Sequence, residues 1–266
     1  MHLHHTIRII CAAALAAGLV ACDQEPIEWK DPGELPGRDT LGRLSVDSQG
    51  HSRFVTAAEP GAAVPEIPSG ALCAGSVRTV KGTVHLFAAW WVMRKDSAAT
   101  LFVAEGKGSP MLWDKPLAVD TTDESSAGCD RPAPSVTAVG DDVFVAYSLH
   151  APEGRGVFFA HTMGGMVHEP VPVVYGERVV ATAIAAEGDR VVVAYEEPNG
   201  SRRRIDVAIS ETQGHSFDWH VPASRDVDVA RTPDIALAGT ELAVSWMARG
   251  HSDSTASRVV RLGRLK

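Results

Sequence analysis

The chain has 266 residues and a formal net charge of −8 at pH 7, and 45% of its residues are hydrophobic. This length allows one large domain or two small ones. A mildly acidic chain without a long run of lysine or arginine lacks the positive surface that nucleic-acid binding requires, so we expect no nucleic-acid partner.

The N-terminal segment predicts export. An uncharged apolar run, IICAAALAAGLVA, covers the 13 residues 9–21. Such a run is too short to cross the apolar core of a bilayer, which takes about 20 residues. It has the length of the hydrophobic region in a cleavable signal peptide. We therefore predict that residues 1–21 are removed on export.

The end of this run, Leu19-Val20-Ala21-Cys22, resembles the lipobox of bacterial lipoproteins. The resemblance implies cleavage before Cys22 and attachment of diacylglycerol to its sulfur, which would anchor the protein to a membrane without spanning it. An ordinary secretory signal with an incidental cysteine is the alternative.

The residues after Cys22 predict a tether and a location. Asp23 resembles the signal that retains lipoproteins in the inner membrane, so we expect the protein at the periplasmic side of that membrane. Residues 22–40 are rich in proline, glycine and acids, a composition that cannot bury enough surface to fold alone. We predict a lipidated tether at 22–40 and a folded domain at 41–266.

Within the domain a pattern recurs: a short strand, a turn containing glycine, and a second strand that ends near an aromatic residue. The turn glycines are Gly82, Gly140, Gly188 and Gly239, at spacings of 58, 48 and 51 residues. Short apolar runs of period two indicate an all-β domain. A repeat of about 50 residues built from strand pairs is typical of one four-stranded β-propeller blade.

The number of blades stays open at four to five. Four hairpins are clear, and Leu44-SVDSQ-Gly50 is either part of a fifth blade or a source of outer strands for the last one. The final segment from Ser257 is expected to add a third strand to that last blade. The aromatics Tyr147, Tyr195 and Trp246 end their second strands in register, which predicts packing between neighbouring blades.

One turn carries a family resemblance. The segment Ser210-Glu-Thr212-Gln-Gly214-His-Ser-Phe217 resembles the Asp-box, Ser-x-Asp-x-Gly-x-Thr-Trp, of sialidase-type (BNR) propellers, with Thr212 in place of the aspartate. The resemblance implies a sialidase-like propeller in which this box is a structural turn between the two outer strands. Sialidases use an arginine triad, a Tyr/Glu nucleophile pair and an Asp acid, and no motif in this chain locates that catalytic set.

The repeat predicts which side chains share one rim of the propeller. Arg131, Arg178 and Arg231 lie 9, 10 and 8 residues before their turn glycines, and Glu197 follows a second strand. Three arginines around a funnel suit a carboxylate or phosphate, because the guanidinium group binds such anions in bidentate fashion. The alternative is that each arginine pairs with a nearby surface acid.

The cysteines predict one disulfide. Cys11 leaves with the signal and Cys22 takes the lipid, so Cys73 and Cys129 remain, 9 and 11 residues before the turn glycines of neighbouring blades. An even remainder in an oxidising compartment favours a bond between them, with two separate buried thiols as the alternative. No Cys-x-x-Cys or His-x-x-x-His spacing indicates a metal site, and we expect no cofactor.

These features favour a membrane-anchored periplasmic propeller that acts as a non-catalytic interaction or accessory subunit, its partner being a membrane protein complex or another protein. The alternatives are a sialidase-type glycoside hydrolase and a glycan-binding protein. Hydrolysis needs two carboxyl groups roughly 5 to 9.5 Å apart across the sugar. Glu197 with Asp226 or Asp228 is the best pair that the sequence offers.

Overall fold

The computed structural model describes residues 25–34, 43–46, 52–55, 72–109, 112–199, 203–225, 229–249 and 257–266. The predicted signal peptide, Cys22 and Asp23 lie outside these ranges. The described chain consists of β-strands and one 3-10 turn at Ala74–Ser76. None of its segments forms a helix with the length and apolar character needed to cross a membrane.

Four antiparallel sheets follow one another along the chain, preceded by short N-terminal strands. The N-terminal strands are β1 (Ile27–Trp29), β2 (Gly33–Glu34), β3 (Arg43–Val46) and β4 (Ser52–Val55). Blade 1 contains β5 (Arg78–Lys81), β6 (Leu86–Met93), β7 (Ala99–Lys107), β8 (Leu112–Trp113) and β9 (Leu117–Asp120). Blade 2 contains β10 (Ser135–Val139), β11 (Asp142–Ala151), β12 (Gly154–Met163), β13 (Met166–Val167) and β14 (Val171–Tyr175).

The chain continues with two further blades. Blade 3 contains β15 (Thr182–Glu187), β16 (Arg190–Glu196), β17 (Ile205–Ser210) and β18 (Trp219–Pro222). Blade 4 contains β19 (Val229–Ala238), β20 (Glu241–Arg249) and β21 (Ser257–Leu265), joined by β1 and β2. The third-strand role expected for the segment from Ser257 is confirmed, because β21 pairs with β20.

The sheets are arranged as the blades of a propeller. Their first strands touch in succession: β5 contacts β10, β10 contacts β15, β15 contacts β19, and β19 contacts β3. The strands β3 and β4 pair only with each other among the described residues, as a fifth, two-stranded sheet. The predicted all-β propeller of four to five blades is therefore confirmed.

The predicted turn glycines and strand-end aromatics have the expected places. Gly140, Gly188 and Gly239 form the inner hairpin turns with positive φ of 63°, 59° and 58°, a region that glycine enters without steric cost. The three strand-end aromatics are fully buried, each in an apolar cluster that its blade shares with the preceding blade. Tyr147 packs between blades 1 and 2, Tyr195 between blades 2 and 3, and Trp246 between blades 3 and 4. Burial on both faces of the second strands holds the blades together.

The predicted tether is wrong for residues 27–34. Ile27 is 1% exposed and pairs with Leu265, and Gly33 pairs with Val260, so these residues belong to blade 4. Without them β21 would leave an open edge with unpaired backbone groups. The outer strands of blade 4 are thus β1 and β2, and not the hairpin that contains Leu44.

The two cysteines singled out by the sequence are joined. Cys73 and Cys129 form a disulfide with their Cα atoms 5.2 Å apart, and it connects the entrance of blade 1 to the entrance of blade 2. Cys73 is 4% exposed, and its backbone N–H donates to the carbonyl of Trp91. The disulfide therefore joins blades 1 and 2 covalently at the rim where their first strands begin.

The Asp-box-like segment is the structural turn that its resemblance implies. It connects β17 to β18, and the hydroxyl of Ser210 accepts hydrogen bonds from the N–H groups of Thr212 and Gly214 at 3.1 and 2.9 Å. The Thr212 hydroxyl accepts from the N–H of Ser216 at 3.1 Å. The threonine oxygen therefore accepts a backbone hydrogen bond within the loop at the position where the family has an aspartate.

Candidate functional site

Arg131 is not available on the rim. Its guanidinium lies 2.8 Å from a carboxylate oxygen of Asp123, and the two side chains are 2% and 0% exposed. The same guanidinium covers the ring of Trp91 at 5.2 Å from the centroid and donates to the carbonyl of Gly128. The expectation of a rim arginine is wrong here, because the residue fills a buried charge-paired position between blades 1 and 2.

Arg178 also serves the fold. It is half-buried and donates to three carbonyl oxygens of one loop, those of Glu197, Pro198 and Asn199, at 2.8 to 3.4 Å. A guanidinium with its donors directed at backbone carbonyls holds that loop against blade 2. The expected triad of converging arginines is therefore not formed, since two of its three members have structural partners.

Glu197 belongs to a carboxyl pair that the sequence did not reveal. Its side chain shares a hydrogen bond with Asp206, and Arg204 lies against both, 3.3 Å from Glu197 and 2.8 Å from Asp206. Burial, together with the hydrogen bond to Glu197, raises the pKa of Asp206 to about 6. The pKa of Glu197 is lowered; burial opposes this, and it is outweighed by hydrogen bonds from Asp206 and the backbone of Asn199 and by the Arg204 charge. The two carboxyls and Arg204 thus form one charged group in which Asp206 is the weaker acid.

The predicted partners of Glu197, Asp226 and Asp228, lie outside the described residues. The observed partner Asp206 was missed because it lies in β17, directly across the ladder from Tyr195. Register, which fixes such cross-strand pairs, cannot be counted from residue spacing when a loop of unknown geometry joins the strands.

Arg231 differs from the other two arginines because its side chain is exposed. On the facing strand β20, Arg249 is also exposed, and the register pairs Val229 with Arg249 and Arg231 with Met247. Residues opposite each other in an antiparallel ladder project from the same face. Both arginines therefore lie on one face, at diagonal positions of two neighbouring strands.

A small pocket lies at this place. Its volume is about 150 Å³, and its lining consists of Val229, Arg231, Met247, Ala248 and Arg249. Among the described residues, none lies within ion-pair or hydrogen-bond distance of the guanidinium group of Arg231 or Arg249. Two cationic side chains at a partly apolar pocket suit a small anionic group.

The backbone beside Arg231 is strained, and a hydrogen bond holds it in place. Thr232 has φ 53°, a left-handed conformation that is unfavourable for a β-branched residue, and the ladder shifts register between Arg231 and Asp234. A carboxylate oxygen of Glu196 accepts the N–H of Thr232 at 3.0 Å, and Glu196 is itself 3.4 Å from Arg203. Bulges and strained residues of this kind are common where a side chain is held in a functional position.

A group of histidines lies at the end of blade 3 opposite to Glu197 and Arg204. His161, His168 and His215 place one ring nitrogen each within 4.8 Å of the others. Burial, followed by the neighbouring His168 and His215, lowers the pKa of His161 to about 4, so this imidazole is neutral at pH 7. No spacing in the sequence indicates this group, because its members are separated by 7 and 47 residues and come from two blades.

No protein-family model and no curated protein sequence matches the chain. Solved structures do resemble it. Trypanosoma rangeli sialidase in complex with the inhibitor DANA has a TM-score of 0.47 and 11% identity, over 88% of this chain and 41% of that one. An exo-1,5-α-L-arabinanase from a bovine ruminal metagenomic library has a TM-score of 0.44 and 10% identity, over 88% and 92%. The GH32 β-fructofuranosidase of Bombyx mori has a TM-score of 0.40 and 13% identity, over 65% and 40%.

The chain spans about two fifths of the length of the sialidase and the fructofuranosidase. The names of these neighbours are those of glycoside hydrolases.

Proposed function

We propose that this protein is a carbohydrate-binding propeller without hydrolytic activity, and that it holds the carboxylate of an acidic sugar between Arg231 and Arg249. We also propose that Cys22 carries the lipid that anchors the domain at the periplasmic face of the membrane. Binding there would present the pocket to glycans outside the cytoplasm.

The observation that carries the proposal is the pair of exposed arginines at a pocket of about 150 Å³. This volume is below the roughly 300–1,000 Å³ of drug-sized ligand sites, so it suits a single group and not an extended ligand. Arg231 and Arg249 supply the charge, while Val229 and Met247 supply apolar surface for the carbon face of a sugar ring. The strained Thr232, held by Glu196, fixes the backbone next to Arg231.

The absence of hydrolysis is inferred from the carboxyl pair. The two acids of a glycosidase stand roughly 5 to 9.5 Å apart, so that the sugar or a water fits between them. Glu197 and Asp206 both contact the guanidinium of Arg204, at 3.3 and 2.8 Å, so a cation and not a sugar lies against the two carboxyls. In addition, Arg131 and Arg178 cannot join Arg231 in a triad while they keep their structural partners.

Binding of acidic sugars tests the proposal. We expect the full chain to bind glucuronic acid or N-acetylneuraminic acid and not glucose in a calorimetric titration. Arg231→Ala and Arg249→Ala should each weaken binding by about 10-fold or more, since a hydrogen bond to a charged group contributes about 1.5–3 kcal/mol. Both variants should unfold at the wild-type temperature because the side chains are exposed.

The matched control is Arg155→Ala, an exposed arginine of blade 2 that donates to the carbonyl of Glu177. Its affinity for the acidic sugar should equal that of the wild type. Equal binding of glucose and glucuronic acid, or undiminished binding by Arg231→Ala, would contradict the assignment of the pocket.

A further inference from the structure

Three histidines meet where the outer part of blade 2 touches the Asp-box-like turn of blade 3. Arg231 and Glu197 lie near the rim at which β17 begins, whereas His215 follows the other end of β17. The group formed by His161, His168 and His215 is therefore separate from the pocket proposed for the acidic sugar, and it has no part in the function proposed above.

Blade 2 positions two of these imidazoles. His161 lies in β12, the turn Gly164-Gly165 follows, and the backbone N–H of His168 donates to the carbonyl of His161 at 2.9 Å. The two residues thus face each other across the hairpin formed by β12 and β13. Their rings are stacked with centroids 4.6 Å apart.

The Asp-box-like turn brings the third imidazole. His215 follows Gly214, whose positive φ of 88° and close approach to the ring of Phe159 require glycine, because a Cβ there would overlap that ring. Phe217, two residues after His215, contacts Phe159 edge to face at 5.5 Å. The turn is therefore docked on blade 2, and its hydroxyl network fixes the backbone that carries His215.

The ring nitrogens are available as ligands. His161 is only 4% exposed. Its Nε2 atom is buried and has no hydrogen-bond partner among the described residues. A buried polar atom without a partner is costly and needs an explanation. In His215 the Nδ1 atom lies 2.6 Å from the carbonyl of Thr212, an arrangement in which Nδ1–H donates and Nε2 keeps a free lone pair.

We propose that His161, His168 and His215 form a binding site for a divalent transition-metal ion of the Zn²⁺, Cu²⁺ or Ni²⁺ type. Imidazole nitrogens suit these ions, whereas Ca²⁺ and Mg²⁺ prefer oxygen ligands. At Zn–N distances of about 2.0–2.1 Å, tetrahedral geometry puts the nitrogens about 3.3 Å apart. The nitrogens now lie within 4.8 Å of one another, and the stacked rings of His161 and His168 would have to turn about their side-chain torsions so that their lone pairs converge on one ion.

Such an ion would connect two blades and keep an open position. Two ligands come from blade 2 and one from blade 3, so binding would stabilise the contact between them by mass action. Three protein ligands are one fewer than closed structural zinc sites use, and the fourth position would be left to water or an added anion.

The competing explanation is that the histidines are merely an aromatic stack. The ring of His161 also lies against Phe144 and Phe159, at 5.6 and 5.5 Å between centroids. Substitution of His161 by phenylalanine separates the two explanations, because it keeps a ring in the stack and removes the ligand atom. His168→Gln and His215→Gln provide independent variants at less buried positions.

The test is a Zn²⁺ titration of the full chain against a chelating indicator, with Co²⁺ absorption as a report on tetrahedral coordination. His2, His4 and His5 could bind metal themselves, so all variants are compared in the same N-terminal background. We expect each of His161→Phe, His168→Gln and His215→Gln to weaken one Zn²⁺ equivalent by more than about tenfold, since even outer-shell changes cost 10–100-fold. The control His150→Gln should bind as the wild type does.

Thermal unfolding gives a second reading. Zn²⁺ should raise the unfolding temperature of the wild type and of His150→Gln, and it should not raise that of His161→Phe. Unchanged Zn²⁺ affinity in all three ligand variants would overturn the proposal, as would the absence of a bound equivalent in the wild type with Zn²⁺, Cu²⁺ and Ni²⁺ alike.

Discussion

Replacement of Arg131 by alanine is expected to lower the free energy of unfolding by about 3–5 kcal/mol, the cost of breaking a buried ion pair by removing one partner. The carboxylate of Asp123 would remain, 0% exposed and without the guanidinium that now lies 2.8 Å from it. The variant would also lose the contact between the guanidinium and the ring of Trp91. Chemical denaturation at neutral pH, followed by fluorescence, measures the effect.

Arg178→Ala is the matched control. This arginine was expected at an equivalent place, yet its bonds go to backbone carbonyls at a partly exposed position, so we expect a loss of only about 1 kcal/mol. A double replacement, Arg131→Met with Asp123→Asn, should recover part of the loss, because it leaves no unpaired buried charge and keeps an oxygen that can accept the N–H of Ala99. A change below about 1 kcal/mol for Arg131→Ala would show that water reaches Asp123.

Loss of the disulfide is the second large expected effect. The paired replacement Cys73→Ala with Cys129→Ala should cost about 2–4 kcal/mol, because the bond spans 56 residues and restricts the unfolded chain. Treatment of the wild type with a reductant should produce the same shift in the denaturation midpoint. The double variant should then be insensitive to the reductant.

The thiol content gives an independent check. The unfolded, unreduced protein should contain no free thiol at Cys73 or Cys129. Two equivalents of reactive thiol from these residues, or a midpoint unaffected by reduction, would contradict the cross-link between blades 1 and 2.

The repeat was predictable because each blade is marked by residues that lie close together in the sequence. Turn glycines such as Gly140 and Gly188 recur at blade spacing, and alternating apolar residues define the strands between them. The Asp-box-like turn was equally visible, since its hydrogen bonds join residues within four positions of Ser210. By contrast, Ile27–Trp29 is a strand of three residues among prolines and acids, and only the open edge of β21 makes it one.

The candidate sites depend on contacts that sequence spacing does not encode. Arg131, Arg178 and Arg231 have near-equivalent places in the repeat, but their burial and partners are set by neighbouring loops. The proximity of His161 to His215 requires the docking of one blade's turn on the next blade. Equivalent spacing thus predicted arginines at equivalent places in the repeat, and it could not predict which of them is buried, which is bound to backbone and which is free to bind a ligand.

The central claim, binding without hydrolysis, is tested most directly by incubating the full chain with fluorogenic aryl glycosides of acidic sugars, a sialoside and a glucuronide, at concentrations that saturate the site. We predict no release of the fluorophore above the buffer rate, because Glu197 and Asp206 are both paired with the guanidinium of Arg204 and are not free to act as the two acids of a glycosidase. Turnover that disappears with Glu197→Gln or Arg231→Ala would contradict this account and identify the protein as a glycoside hydrolase.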